Sequence, residues 1–418
     1  MSDPLQTAWV ARLSASLEAL SHSHLRRELR PVDGPQGPTL TIGHRNYLQF
    51  CTNNYLGLAA DPEVIDAARD AVGRYGTGAG ASRLVAGSME LHHQLETALA
   101  AFKGVQAALL LPTGFMANLA VLTTFAGPRD TVVSDKLNHA SLLDAARYSG
   151  CYHRTFPHRA YRRAAALLQD DRPRVMRGKS ETPSQKPESV SAANGTIAAQ
   201  SFLVTDSVFS MDGDLADLPT ACDAARAARA LVIIDEAHAT GVLGERGRGA
   251  AELQNVEDRI ALTVGTLSKA LGSVGGFVAG PRAAIDTLIN HARAFIYTTA
   301  LPPAASAAAL AALKIVERQP QRRRRVLALA AHVKQTLTTL GFDCGDSASP
   351  IIPVILGTAE SALAAAAFLH DRGIWVPAIR PPTVPRNAAR LRISLMATHT
   401  DAQVEQLLAA MRALRDSA

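Results

Sequence analysis

The sequence predicts an α/β protein whose mostly parallel sheet binds a ligand at the carboxyl ends of its strands. Three observations predict it. The run Leu231-Val232-Ile233-Ile234 is short, unbroken and apolar, as expected of a strand buried on both faces. A second apolar run, Ile260 to Val264, follows it. Both runs end in polar groups, Asp235 and His238 after the first and Thr266, Ser268 and Lys269 after the second. Polar residues gathered at neighbouring strand ends describe the crevice of an open α/β sheet. At 418 residues the chain exceeds one simple core, so more than one domain is expected.

Composition removes several classes of ligand and partner. Asp235-Glu236-Ala237-His238 after an apolar run looks like the nucleotide-hydrolysing strand of a DEAH-type helicase, and the net charge is +6. That chemistry needs a G-x-x-x-x-G-K-[ST] phosphate cradle before a helix. The only lysine among the glycines, Lys269, follows Ser268 and precedes Ala270, so the helicase reading is remote. No basic stretch is interleaved with stacking aromatics, which argues against nucleic acid. The densest basic run, Arg322 to Arg325, reads as a solvated helix face. No apolar run approaches a membrane span, and MSDPLQTAWV lacks the zones of a signal peptide. Cys51, Cys151, Cys222 and Cys344 are scattered without C-x-x-C spacing. They are expected to be reduced thiols in a cytoplasmic protein, with no metal site.

An acid at one strand end and a lysine among small residues after another suit pyridoxal 5'-phosphate (PLP). That cofactor needs an amine for its aldehyde and a carboxylate for its ring nitrogen. The stretches TNNYLGL, SRLVAGS, LPTGFMAN, NHASL, SVFSMDGD, DEAHATGVLGERGRG, TLSKALGSVGG, IYTTALPP and AIRPPTVPRNAARLR are spread along the chain from Thr52 to Arg392. On them the sequence resembles the α-oxoamine synthases, fold-type-I PLP-dependent enzymes. The resemblance implies a large domain with a mostly parallel seven-stranded sheet between helices, a smaller C-terminal α+β domain and an N-terminal helical arm. The divisions expected are 1–60 for the arm and a small hairpin, 61–295 for the PLP domain and 296–418 for the C-terminal domain. It also implies a homodimer with shared active sites. The reaction implied is condensation of L-alanine with a pimeloyl thioester, on coenzyme A or an acyl carrier protein, to 8-amino-7-oxononanoate for biotin synthesis. Glycine C-acetyltransferase, 5-aminolevulinate synthase and serine palmitoyltransferase activities are the alternatives within the family. A PLP-fold binding subunit without catalysis is disfavoured by the presence of Lys269.

Taken in order, Leu13, Leu17 and Leu20 mark an amphipathic helix within Leu5 to Leu29. By resemblance, Arg26 at its end contacts the acyl substrate. Leu40 to Phe50 alternates as a hairpin. Asn53 then falls where the family holds the amino-acid carboxylate, and Asn54 stands where an Asp is common. A helix is expected over Pro62 to Tyr75, before a glycine-rich loop. His92 reads as a cap or core residue as readily as a catalyst.

Ala107 to Leu111 is a strand, and the helix after it starts at Gly114 and Phe115, whose N–H groups suit a phosphate. His139 matches the family's ring-stacking histidine, which also meets substrate. The segment 171–200, rich in Ser, Pro, Lys and Glu, is expected to be a flexible insertion. Ser210 follows the strand Phe202 to Thr205 and matches a serine near the cofactor.

The resemblance gives Asp235 the ring nitrogen, His238 the phenolic oxygen, Thr266 the phosphate and Lys269 the covalent attachment. Thr298 and Thr299 reach the neighbouring subunit's phosphate. Thr383, in a proline-rich loop, touches substrate. Arg392 suits a bidentate clamp for a carboxylate, whereas Arg390 is expected to be structural.

Overall fold

The computed structural model describes residues 3–170 and 199–417. The insertion expected at 171–200 therefore lies almost wholly outside the described residues.

The alternation of side chains along a strand explains the main sheet. It contains β3 (Ala107–Leu111), β4 (Thr131–Asp135), β5 (Tyr152–Phe156), β6 (Ser201–Asp206), β7 (Leu231–Asp235), β8 (Leu262–Thr266) and β9 (Gly276–Gly280). Their spatial order is β3-β9-β8-β7-β6-β4-β5. Only β9 runs against its neighbours. Successive residues point to opposite faces, and both faces are covered. Leu110, Val133, Leu203, Val232 and Ile234 face one core, while Leu109, Val132, Val204, Ile233 and Val264 face the other. That double burial is why these strands read as continuous apolar runs.

Two smaller sheets complete the scaffold. β1 (Thr39–Ile42) and β2 (Arg45–Gln49) form the expected hairpin, and β11 (Ile374–Trp375) adds to β2 in parallel. β10 (Ile351–Gly357) and β12 (Ala378–Ile379) flank β13 (Ala389–Ser394) on either side. β13 thus carries Arg390 and Arg392 from the carboxyl-terminal region toward the main sheet.

Helix starts follow their caps. The first helix, α1 (Pro4–His22), begins at Asp3, whose side chain accepts from Leu5 N. It ends earlier than the expected Leu29, because His24 turns the backbone to φ 57°. None of its residues is buried, and Leu5, Trp9, Leu13, Leu17 and Leu20 lie exposed. Helix α2 (Pro62–Tyr75) has the bounds expected from sequence, with Asp61 as its cap and Pro62 in the first turn. Helix α3 (Glu90–Lys103) starts with His92 buried, accepting from Met89 N and bonded to the Leu301 carbonyl. That is a capping role.

The arginine run departs from expectation. Arg323 is buried against the carbonyls of Val316 and Glu245, Arg322 pairs with Asp61, and Arg325 pairs with Asp401. The run ties helix Pro320–Thr339 to four other segments; periodicity alone does not reveal such partners.

Candidate active site

The site forms where β6, β7 and β8 end and β13 comes near them. After β3 the backbone turns into α4 (Gly114–Phe125), capped by Thr113, whose hydroxyl accepts from Met116 N. The N–H groups of Gly114 and Phe115 open the helix and find no acceptor among the described residues. β9 presses closely on this turn. A Cβ at Gly276 would lie 2.4 Å from Thr113 O and 2.6 Å from Gly114 N, so only glycine fits. Thr266, at the end of β8, touches the same turn, since a Cβ on Gly114 would lie 3.3 Å from its own. Its hydroxyl is 2.7 Å from Ser268 Oγ and donates to Gly275 O at 2.8 Å.

Asp235 ends β7. Its two carboxylate oxygens accept from Ala237 N at 2.8 Å and Asn118 Nδ2 at 2.7 Å. Strand register sets Asp206, at the end of β6, directly beside it. Burial, and then the Asp235 charge, hold the Asp206 carboxyl well above the usual range. Lys269 follows β8 and feels the charges of Asp235, Asp206 and Arg392. Burial lowers its pKa to about 8, with the two carboxylates opposing and Arg392 assisting. His238 is buried with Nδ1 2.7 Å from the Tyr55 hydroxyl. Burial, then Lys269, Arg392 and His139, push its pKa well down and keep the ring neutral.

Arg392 joins the carboxyl-terminal region to this cluster. Nε donates to Ser210 O at 2.6 Å, Nη1 to Ser394 Oγ at 2.8 Å and Nη2 to Asn53 Oδ1 at 3.1 Å. A guanidinium has five N–H groups, so one remains on each terminal nitrogen. Arg390 bonds Asp212 at 2.6 Å and Met211 O instead, a structural pairing. Asn54 is likewise structural, donating to Gln36 O and accepting from Ala59 N.

The structure therefore gathers Asn53, Gly114, His139, Ser210, Asp235, His238, Thr266, Lys269 and Arg392 around one set of strand ends. Others stand apart. Thr299 pairs with Ser82, with Thr298 beside it, on a partly exposed loop. Phe115 turns its ring partly to solvent. Arg26 meets Glu28 at 3.8 Å, while Arg27 donates to Thr383 Oγ1 at 3.4 Å and Pro381 O at 3.3 Å. Arg27, the residue after the expected acyl contact, is thus the arginine whose side chain reaches the proline-rich loop.

Four site residues escaped the sequence reading: Tyr55, Asn118, Ser141 and Asp206. Two left a signal. Asn118 is a buried polar residue one turn after Gly114 in the otherwise apolar run Phe115 to Leu122, and Asp206 closes a largely apolar strand as Asp235 does. Among the described residues no cluster of His, Cys, Asp and Glu is suited to a metal ion.

This donor set fits PLP. Free N–H groups at a helix start suit a phosphate, a buried carboxylate suits a pyridinium nitrogen, and a lysine of lowered pKa suits an aldehyde. The sequence profile of the aminotransferase class I and II family matches residues 45–411. The 8-amino-7-oxononanoate synthase of Anaeromyxobacter dehalogenans (strain 2CP-1 / ATCC BAA-258) is 46% identical over 402 residues, covering 96% of this chain and 95% of its own. That of Cellvibrio japonicus is 44% identical, over 95% and 94%. Among solved structures, a serine palmitoyltransferase from S. paucimobilis with bound PLP and myriocin superposes with a TM-score of 0.87. It is 29% identical and covers 100% of this chain and 99% of its own. The 8-amino-7-oxononanoate synthase of Francisella tularensis gives 0.72 at 28% identity, over 89% and 98%.

Proposed function

Because the chain belongs to the 8-amino-7-oxononanoate synthases, PLP-dependent α-oxoamine synthases of the class I and II aminotransferase fold, we propose the following reaction at this site. L-alanine and a pimeloyl thioester condense to 8-amino-7-oxononanoate, releasing carbon dioxide and the free thiol carrier, in biotin synthesis. The observation that carries this reading is the meeting of Asp235, Lys269 and Arg392 at one crevice.

PLP, when bound, supplies an electron sink for bonds broken at the amino-acid α-carbon. The N–H groups of Gly114 and Phe115, with Thr266, would hold its phosphate, and Asp235 its ring nitrogen. His139 and Ser210 would lie against the ring, His238 would bond the phenolic oxygen and Lys269 would supply the amine for its aldehyde. The two uncommitted N–H groups of Arg392, with Asn53, grip the alanine carboxylate. Lys269, set free when the amino acid takes its place, would accept the α-proton as general base. Holding the two substrates side by side supplies the orientation term. Arg26 and Thr383 line the acyl end, and Arg27 braces Thr383.

The enzyme in this reading is a homodimer. The uncovered apolar stripe of α1 supports it, and Thr298 and Thr299 of each protomer serve the phosphate held by the other. The chain divides into arm and hairpin (1–60), PLP domain (61–295) and C-terminal domain (296–418). It works in the cytoplasm, where its four free cysteines stay reduced. No helix among the described residues is long and apolar enough to cross a membrane. The acyl group comes on coenzyme A or on an acyl carrier protein that docks transiently.

The test is the visible absorption of the purified protein before and after L-alanine, beside Lys269→Ala. A visible band that shifts with alanine, and a variant lacking the covalent form, is the expected result. A colourless protein that takes up no PLP would overturn the reading.

A further inference from the structure

Asn118 and Ser141 have no part in the chemistry above, yet they link His139 to Asp235 through an unbroken line of hydrogen bonds. Donor and acceptor bookkeeping gives that line a direction. Asn118 Nδ2 has two hydrogens. One goes to Asp235 Oδ2 at 2.7 Å and the other to Ser141 Oγ at 2.8 Å. The opposite amide orientation would set Oδ1 against an ionised carboxylate in a buried place, two acceptors with no proton between them. Asn118 Oδ1 is itself buried with no partner among the described residues, so the nitrogen alone fixes the orientation.

Ser141 Oγ therefore accepts from Asn118, and its own hydrogen is available to His139 Nδ1, 2.7 Å away. The Ser141 N–H also points to Nδ1, at 3.3 Å. A nitrogen that accepts two donors carries no proton of its own. The root of the same side chain is anchored independently, since His139 N donates to Asp206 Oδ2 at 2.6 Å.

We propose that Asn118 and Ser141 are positioning residues that lock His139 as the neutral tautomer with its proton on Nε2, and that fix its ring relative to Asp235. The ring then shows a hydrogen-bond donor, not a lone pair, on its free edge. The proposal rests on the reading of His139 and Asp235 as cofactor-facing residues. The charged groups around the ring are Asp235 on β7, Asp206 on β6, Lys269 after β8 and Asp144 on the ring's own helix, Ala140–Tyr148. The ring edge is exposed, but protein packing still lowers its pKa. Desolvation leads, Lys269 assists and Asp235 and Asp144 oppose, which agrees with a neutral ring.

The test is nitrogen NMR of the holoenzyme carrying 15N-histidine, with the His139 signals identified by their loss in His139→Gln. The wild-type ring is expected to show a bare Nδ1 and a protonated Nε2 through about pH 6 to 8, the range in which histidines change charge. In Ser141→Ala the proton spreads onto Nδ1 and the ring titrates at higher pH. Ser141→Thr, which keeps the hydroxyl, restores the wild-type pattern. A wild-type proton on Nδ1, or an unchanged ring in Ser141→Ala, would overturn the proposal, and the first of these needs no variant to fold. The visible band of the same samples separates the two readings. No band at all sinks the proposed function, whereas a normal band with the wrong tautomer sinks only the positioning role.

Discussion

The Tyr55 hydroxyl stands 2.7 Å from Nδ1 of His238, and both groups are buried. A residue from the segment after the amino-terminal hairpin thus holds a histidine set between β7 and β8, and Asn53 Oδ1 lies 3.2 Å from the same hydroxyl. Tyr55→Phe removes the partner of a buried ring nitrogen that packing keeps from water. The expected cost is about 1–3 kcal/mol of stability, read by denaturant unfolding, with a weakened visible band as the second readout.

Lys269 gives a pH-dependent prediction for the cofactor-free protein. Its folded pKa of about 8 lies below the unfolded value of 10.5. Between these values the unfolded chain binds more protons, so stability rises with pH across that window. Below pH 8 both states are charged and the folded state bears the full cost of burying an ammonium, up to about 3 kcal/mol. Lys269→Met is expected to be more stable than the cofactor-free wild type at pH 7. The gap should close by about pH 10.5, as followed by thermal or denaturant unfolding.

His158 titrates with the opposite sign. It lies 3.1 Å from Asp135 Oδ2 and 2.8 Å from Asp214 Oδ2, joining the end of β4 to the loop that carries Ser210. Burial pulls its pKa down, but hydrogen bonds and charges from the two aspartates outweigh burial and lift it to about 9. The stability this adds is fully present below the unfolded value of 6.5 and is lost as pH rises through 9. His158→Gln should therefore destabilise by about 2–3 kcal/mol near pH 6 and by much less above pH 9. Equal losses at both ends would contradict the charged pairing.

Arg392→Lys tests the clamp. Lysine offers a point charge in place of a fork and cannot hold Ser210 O, Ser394 Oγ and Asn53 Oδ1 together. KM for the amino acid should rise about ten- to hundredfold, equivalent to roughly 1.4–2.7 kcal/mol, with a smaller change in KM for the thioester. Steady-state kinetics with each substrate varied in turn separates the two.

Much of this architecture was legible from residue order, for physical reasons. β3, β6 and β7 are buried on both faces, so their apolar runs stood out, and the helix expected from Pro62 begins there, with Asp61 as its cap. β9 was hidden, because Gly276–Gly280 earns its strand by close approach to the Thr113–Gly114 turn rather than by apolar bulk. Asp235 and Lys269 were visible because each follows an apolar run. Asn118 and Ser141 were not, because their importance lies in hydrogen bonds between a helix, a strand end and a loop, which no local spacing encodes. The same limit applies to Arg27. Adjacent arginines look alike in sequence, and only the path of the chain after His24 brings Arg27 to Thr383.

The most direct test of the account is the product formed from a pimeloyl thioester with alanine, glycine and serine offered in parallel, identified by mass spectrometry. The account predicts 8-amino-7-oxononanoate from alanine, with release of carbon dioxide and free thiol, and little turnover of the other two. Product from glycine or serine alone would contradict it and assign the site to another α-oxoamine synthase reaction.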